Sequence, residues 1–187
     1  DKAITHHEMN SPLEALAPHF RHISVATIGL AALLAATDDA RAQWAYATTK
    51  DAMRGTVATR ADLTSRNTHQ FSFPYHGGSR LKLIVWSDPD NADADLRQTV
   101  GLFITRGQFR CLQSDVCPIH IKVDDGPVEP LSAQLSDDFG LMWLYSNGVQ
   151  RIIEATATGR TLSIEVPIYQ HGERQYSFRI TPLRWKN

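Results

Sequence analysis

Gly107-Gln108-Phe109-Arg110-Cys111-Leu112-Gln113-Ser114-Asp115-Val116-Cys117-Pro118-Ile119-His120-Ile121-Lys122-Val123-Asp124-Asp125-Gly126-Pro127 decides how this 187-residue chain is read. It holds both cysteines, an alternating run and a cluster of turn formers. Ile119, Ile121 and Val123 share one face of an extended chain, and His120 and Lys122 share the other. That period of two predicts a half-buried antiparallel strand. Asp124 to Pro127 then predicts a tight turn, because Asp and Gly tolerate the φ values that such turns need.

Working outward, the same alternation recurs. Leu81, Leu83 and Val85 predict one strand face, with Lys82 and Trp86 on the other. Thr99 to Thr105 is a nearly continuous apolar run, the pattern of a strand covered on both faces. Leu131 to Leu135 and Leu141 to Tyr145 predict two more strands around an Asp137-Asp138 turn. Leu162, Ile164, Val166 and Ile168 alternate cleanly, with Pro167 predicting an edge or a bulge. His171-Gly172-Glu173 turns into a closing strand, Tyr176 to Ile180. Before these, Trp44 to Tyr46 and Thr56 to Ser65 predict two further strands, and Phe71 to Phe73 leads into a Pro74-Tyr75-His76-Gly77-Gly78 loop.

One segment changes period. Val149, Ile152, Ile153 and Ala157 recur at helical spacing, with Asn147 placed to cap the start and Gly159 to stop it. Eight or so short strands separated by turns every 8–12 residues, with one helix, predict a mainly β fold. The expected class is an antiparallel β-sandwich or barrel-like domain with one short α-helix. Trp44, Trp86, Trp143 and Trp185 are expected in its core or on its sheet faces.

The N-terminal part reads as an address. Ile23 to Ala36 is an apolar run preceded by Arg21, shorter than the roughly 20 residues that cross a bilayer. It matches the apolar region of a secretory signal, with Ala40-Arg41-Ala42 as the small-x-small cleavage motif. Residues 1–42 are therefore expected to be an N-terminal extension and signal peptide, cleaved after Ala42, and residues 43–187 an exported domain. A periplasmic or secreted location in turn predicts a Cys111–Cys117 disulfide, because such compartments are oxidising. The five intervening residues are unlike the two-residue spacing of redox motifs.

Formal charge is balanced, with Lys+Arg 19 against Asp+Glu 20 and a net charge of −1. A nucleic-acid partner wants a basic stripe, which this balance does not supply. The same balance argues against a polybasic membrane-binding face, and no membrane span is expected in the mature chain. The histidines His69, His76, His120 and His171 have no zinc-site spacing. The acidic loop Asp88, Asp90, Asn91, Asp93, Asp95 lacks the sixth-position Gly and twelfth-position Glu of a calcium loop. No metal or other cofactor is expected.

Candidate binding residues follow from surface chemistry. Tyr75, His76 and Trp86 would form an aromatic ligand surface. His120 shares a strand face with Lys122, next to the Asp124 and Asp125 carboxylates that could orient it.

Trp44-x-Tyr46, Asp51-x-Met53, Ser65-x-Asn67 and Phe73-Pro74-Tyr75-x-Gly77-Gly78 open a longer pattern. It continues through Gly107-Gln108-Phe109-x-Cys111, Cys117 and Asp124-Asp125-Gly126, and closes with Ile168-Tyr169-x-x-Gly172, Phe178 and Leu183-x-Trp185. In these residues the chain resembles a broad group of small exported bacterial proteins of uncharacterised function. Its later part distantly resembles type VI secretion accessory proteins of the TagO/VasI kind, with an Asp-Asp turn before a helix and a closing aromatic strand. The resemblance implies compartment and fold, and it carries no catalytic residue. Lys122-Val123 stands where such sequences tend to have Arg-Phe.

The expected function is therefore a non-enzymatic exported binding or accessory module. Its partner would be an envelope protein or another envelope component, met through Phe73 to Ser79 and Asp124 to Pro127. Two alternatives are a hydrolase using His120 with Asp124 or Asp125, and an immunity or exclusion protein that binds a toxin or phage component.

Overall fold

The computed structural model describes residues 44–88, 97–111 and 116–184, all within one compact unit, Asp38–Asn187. The apolar run from Ile23, the Ala40-Arg41-Ala42 motif, Asp90 to Asp95 and Trp185 lie outside the described residues.

Alternating residues make strands here because one face of each has an interior to enter. The strands are β1 (Ala45–Lys50), β2 (Val57–Thr64), β3 (His69–Phe71), β4 (Gly77–Ser79), β5 (Leu81–Ser87) and β6 (Gln98–Ile104). They continue as β7 (Val116–Val123), β8 (Val128–Leu135), β9 (Leu141–Leu144), β10 (Thr161–Ile168) and β11 (Gly172–Arg179). One helix, α1 (Ser146–Thr158), separates β9 from β10. Nine strands form one antiparallel sheet in the order β1-β2-β5-β6-β9-β8-β7-β10-β11, and β3 and β4 form a small hairpin of their own. The fold is mainly β and sandwich-like, and its sheet is not closed into a barrel by a continuous ladder.

Inward residues from every part of the large sheet meet in one core. Leu83, Leu102, Met142, Ile119, Ile164 and Phe178 are all buried in it. Burying each such side chain is worth about 1.5–3 kcal/mol. Helix α1 inserts Ile152 into the same core and is tied to β8 by Arg151, whose guanidinium donates twice to the Glu129 carboxylate, at 2.6 and 2.7 Å.

The two ends of the sheet are stitched together by the segment between β2 and β5. Arg66 N donates to Ser177 O at 2.7 Å. The Asn67 side chain donates to Gln175 O and accepts from Ser177 N, both at 2.8 Å. The β3–β4 hairpin that follows stacks Phe71 on His171 and turns the His69 ring edge towards Tyr176. It closes through the cis Phe73–Pro74 bond. Sequence reading treats residues 74–79 as loop only; the pairing of Gly77–Ser79 with His69–Phe71 depends on the sheet beneath it.

Three expectations are corrected. Asn147 lies inside the first turn of α1, accepting from Gly148 N, and the cap position is Tyr145, with no side-chain cap. Pro167 is not on an edge strand: β10 lies between β7 and β11. Its missing N–H is tolerated because the β7 ladder stops at Glu165. Strand β8 begins at Val128 rather than Leu131, since its pairing with Lys122 starts straight after the turn. The Cys111–Cys117 disulfide is formed, with Cα atoms 4.8 Å apart. It joins the start of β7 to the segment that precedes it.

Candidate functional site

Strand direction gives the sheet two ends. The β3–β4 hairpin, the disulfide segment, the β8–β9 turn and the β10–β11 turn gather at one. The β1–β2 and β7–β8 turns and both termini of α1 gather at the other. The Phe73 to Ser79 loop and the Asp124 to Pro127 turn therefore lie at opposite ends. The eight residues of β7 span about 25 Å, so one compact ligand does not reach both.

The sequence-nominated residues separate accordingly. Tyr75 packs against the core. His76 uses its backbone carbonyl to accept from Arg106 Nη1 at 2.7 Å, and its ring lies edge-on to an exposed Phe73. Trp86 is on the outer face of β5 beneath the Arg60 guanidinium, 5.7 Å from its ring centre. Asp124 is a structural group: at φ 47 it accepts from the backbone N–H groups of Thr161 and Arg160, at 2.8 and 3.0 Å. Those bonds, Thr161 foremost, hold its carboxyl below the ordinary carboxylate range. Asp125 is exposed beside it.

His120 leads to the site. It points outward from β7, and its neighbour across the ladder is Glu165 of β10. His120 Nδ1 lies 3.4 Å from Glu165 Oε1. Gln175 of β11, next in register, donates from Nε2 to Glu165 Oε2 at 2.8 Å. The carboxylate beside His120 is thus Glu165, a correction to the pairing with Asp124 or Asp125.

Outward residues of β7, β10 and β11 form cross-strand rows. His120, Glu165 and Gln175 make the middle row; Lys122, Ser163 and Ser177 lie one step towards the α1 end. Pro167 and Glu173 pair one step the other way, with Pro118 two residues before His120 on β7. Two depressions follow these rows. One of about 350 Å³ is lined by His120, Lys122, Val128, Ser163, Glu165 and Gln175. The other, about 290 Å³, is lined by Arg110, Pro118, Pro167, Ile168, Gly172 and Glu173. Their linings come from neighbouring rows of one sheet face, and this stretch of the face is called the groove below. Each depression is near the lower size of a ligand site.

Charge in the groove is unevenly satisfied. Both oxygens of Glu165 have partners. Among the described residues the exposed Glu173 carboxyl has no ion-pair or hydrogen-bond partner. Burial first, and then the like charge of Glu165, pushes its pKa up, with His120 opposing. None of the described serine, threonine or cysteine side chains hydrogen-bonds His120. Among the described residues no three His, Cys, Asp or Glu side chains are grouped so as to hold a metal ion.

Glu165, Gln175, Glu173 and Ser163 escaped sequence reading. Their outward phase was legible from the alternation of Leu162 to Ile168, but their adjacency to His120 follows from strand order. Comparison with protein-family models, with curated proteins and with solved structures yields no match.

Proposed function

We propose that this chain is an exported, non-enzymatic binding or accessory module that engages an envelope protein or another envelope component through the groove on β7, β10 and β11. The observation that carries this reading is the groove itself: polar groups converge on it, yet none of the described serine, threonine or cysteine side chains hydrogen-bonds its imidazole. Export is supported by the Cys111–Cys117 disulfide, a feature of oxidising compartments. No helix among the described residues is long and apolar enough to cross a membrane.

The test is a photo-reactive amino acid at position 163, inside the groove, and at position 99, on the opposite part of the outer sheet face. In cells the position-163 protein gains a covalent adduct with an envelope component, and the position-99 protein does not. An adduct from position 99 alone overturns the assignment. A single protein recovered in equimolar amount would point to the immunity reading.

A second reading has one specific observation in its favour. Glu165, held by Gln175, orients the His120 imidazole as a general base is oriented. His120 would then activate water or a bound hydroxyl for hydrolysis. Turnover of a candidate envelope substrate that survives His120→Ala unchanged would remove this alternative.

A further inference from the structure

We propose that the groove receives an extended peptide segment lying along the strands, with a basic side chain taken by Glu173 and Glu165 and an acidic side chain four residues away taken by Lys122. The assignment presupposes that the groove is the binding surface and names what fills it.

Three observations converge. The first is period. Successive rows of the groove repeat every second residue of β7, β10 and β11. An extended peptide repeats its side-chain direction at the same spacing, about 6.6 Å. Its alternate side chains therefore meet successive rows in step, which a compact ligand cannot do.

The second is unpaired charge of opposite sign at the two ends. Glu173 lines the first depression, with no cation on its carboxylate among the described residues. Lys122, exposed in the second depression, has no ion pair among the described residues. Along the strands the two stand two rows apart, about 13 Å, the spacing of residues i and i+4 in an extended chain. Across the strands they flank β10, about 10 Å apart, so the peptide lies over β10 and its two charged side chains reach to either side. Glu173 is exposed and faces the like charge of Glu165. A cation relieves that repulsion, and a basic side chain placed there also meets Glu165.

The third is the balance of the middle row. Both Glu165 oxygens already have partners in His120 and Gln175, so this row adds hydrogen-bonding groups and its carboxylate sides with Glu173 at the anionic end. Carboxylates at one end and a single lysine at the other do not suit a polyanion, which wants a run of cations. An uncharged glycan leaves both end charges unanswered. A segment of the form basic-x-polar-x-acidic answers all three rows.

The probe is the capped peptide Ala-Lys-Ala-Thr-Ala-Glu-Ala, titrated into the full chain and followed by backbone amide shifts and calorimetry. Shifts are expected on β7, β10 and β11 and not on β2, β5 or β6. Glu173→Gln weakens binding about tenfold, the scale of one charge-assisted contact, and so does Lys122→Ala. Glu173→Lys restores binding to the peptide that carries Glu in place of Lys. Moving the two charges to a three-residue separation, which puts them on opposite faces, lowers affinity by about the same factor.

Affinity indifferent to Glu173→Gln and to charge spacing, or shifts confined to other strands, overturns the peptide assignment. If the peptide leaves the groove untouched while the position-163 adduct persists, the peptide assignment falls and the groove reading stands. If the adduct is lost as well, both fall.

Discussion

The outer face of β2, β5, β6 and β9 and the outer face of β7, β10 and β11 belong to one sheet over one core, yet they are finished differently. On the first, Gly101 leaves room for the Trp143 ring, which would come within 3.0 Å of any added Cβ. Ile84 beside it is buried although it points outward, and Arg60 covers Trp86 while its guanidinium is held by Asp62 at 2.5 and 2.6 Å. That half seals itself with its own side chains. The second half has prolines and polar residues where the first has rings, and it is left with a groove and a carboxylate that is unpaired among the described residues. A sheet face that packs on itself is a structural surface; one that leaves depressions and unanswered charge is available to a ligand.

The comparison predicts that the halves differ outside and not inside. The largest effects should therefore be equal. Leu102→Ala under the sealed half and Ile164→Ala under the open half should each cost about 2–5 kcal/mol in urea unfolding. A much smaller loss for Ile164→Ala would mean that the open half is loosely packed throughout.

On the outer faces the halves should part company. Trp143→Ala uncovers Gly101 and Ile84 and should cost about 2 kcal/mol. His120→Ala on the open half removes a half-exposed pair with Glu165 and should cost less than about 1 kcal/mol. Equal costs by chemical denaturation would erase the distinction.

Two pH profiles sharpen it further, because their signs are opposite. Asp124 has its folded pKa lowered, by the N–H of Thr161 first and then that of Arg160. Such a group adds stability above its unfolded pKa, and the gain is lost as pH falls through the folded value. Asp124→Asn should therefore be less stable than the parent at neutral pH and converge with it in acid. Glu173 has its folded pKa raised, by burial first and then by Glu165. A raised carboxyl favours folding only below the unfolded pKa, and that advantage is lost as pH rises through the folded value. Glu173→Gln should be slightly more stable than the parent at neutral pH in urea unfolding, by less than about 0.5 kcal/mol because the group is exposed and screened by solvent. The gap should close below about pH 4. A stabilising change at a residue needed for ligand binding would mark Glu173 as kept for function rather than for folding.

Much of the fold was legible in the chain. The alternation of Ile119 to Val123 and of Leu162 to Ile168 set the inward faces of β7 and β10, and the 3.6-residue recurrence of Val149, Ile152 and Ile153 located α1. The disulfide followed from two cysteines and a signal-like run. Less of the site was legible. Alternation puts His120 and Lys122 on the outer face, but nothing near Asp124 in sequence shows that Thr161, 37 positions away, claims its carboxylate. Nor does the Pro/Gly-rich loop show that Tyr75 packs against the core.

Period and turn chemistry are local properties: each residue's face is decided by its immediate neighbours, so sequence alone determined strands, helix, turns and the mainly β class. Which strands become neighbours is decided by pairing over long separations, where Asn67 meets Ser177 across 110 positions and β10 settles between β7 and β11. Only the tertiary structure could therefore bring Glu165, Gln175 and Glu173 beside His120 and send the Phe73 loop and the Asp124 turn to opposite ends. Backbone hydrogen bonding and core burial choose that order jointly, and neither is written in any one stretch of the chain.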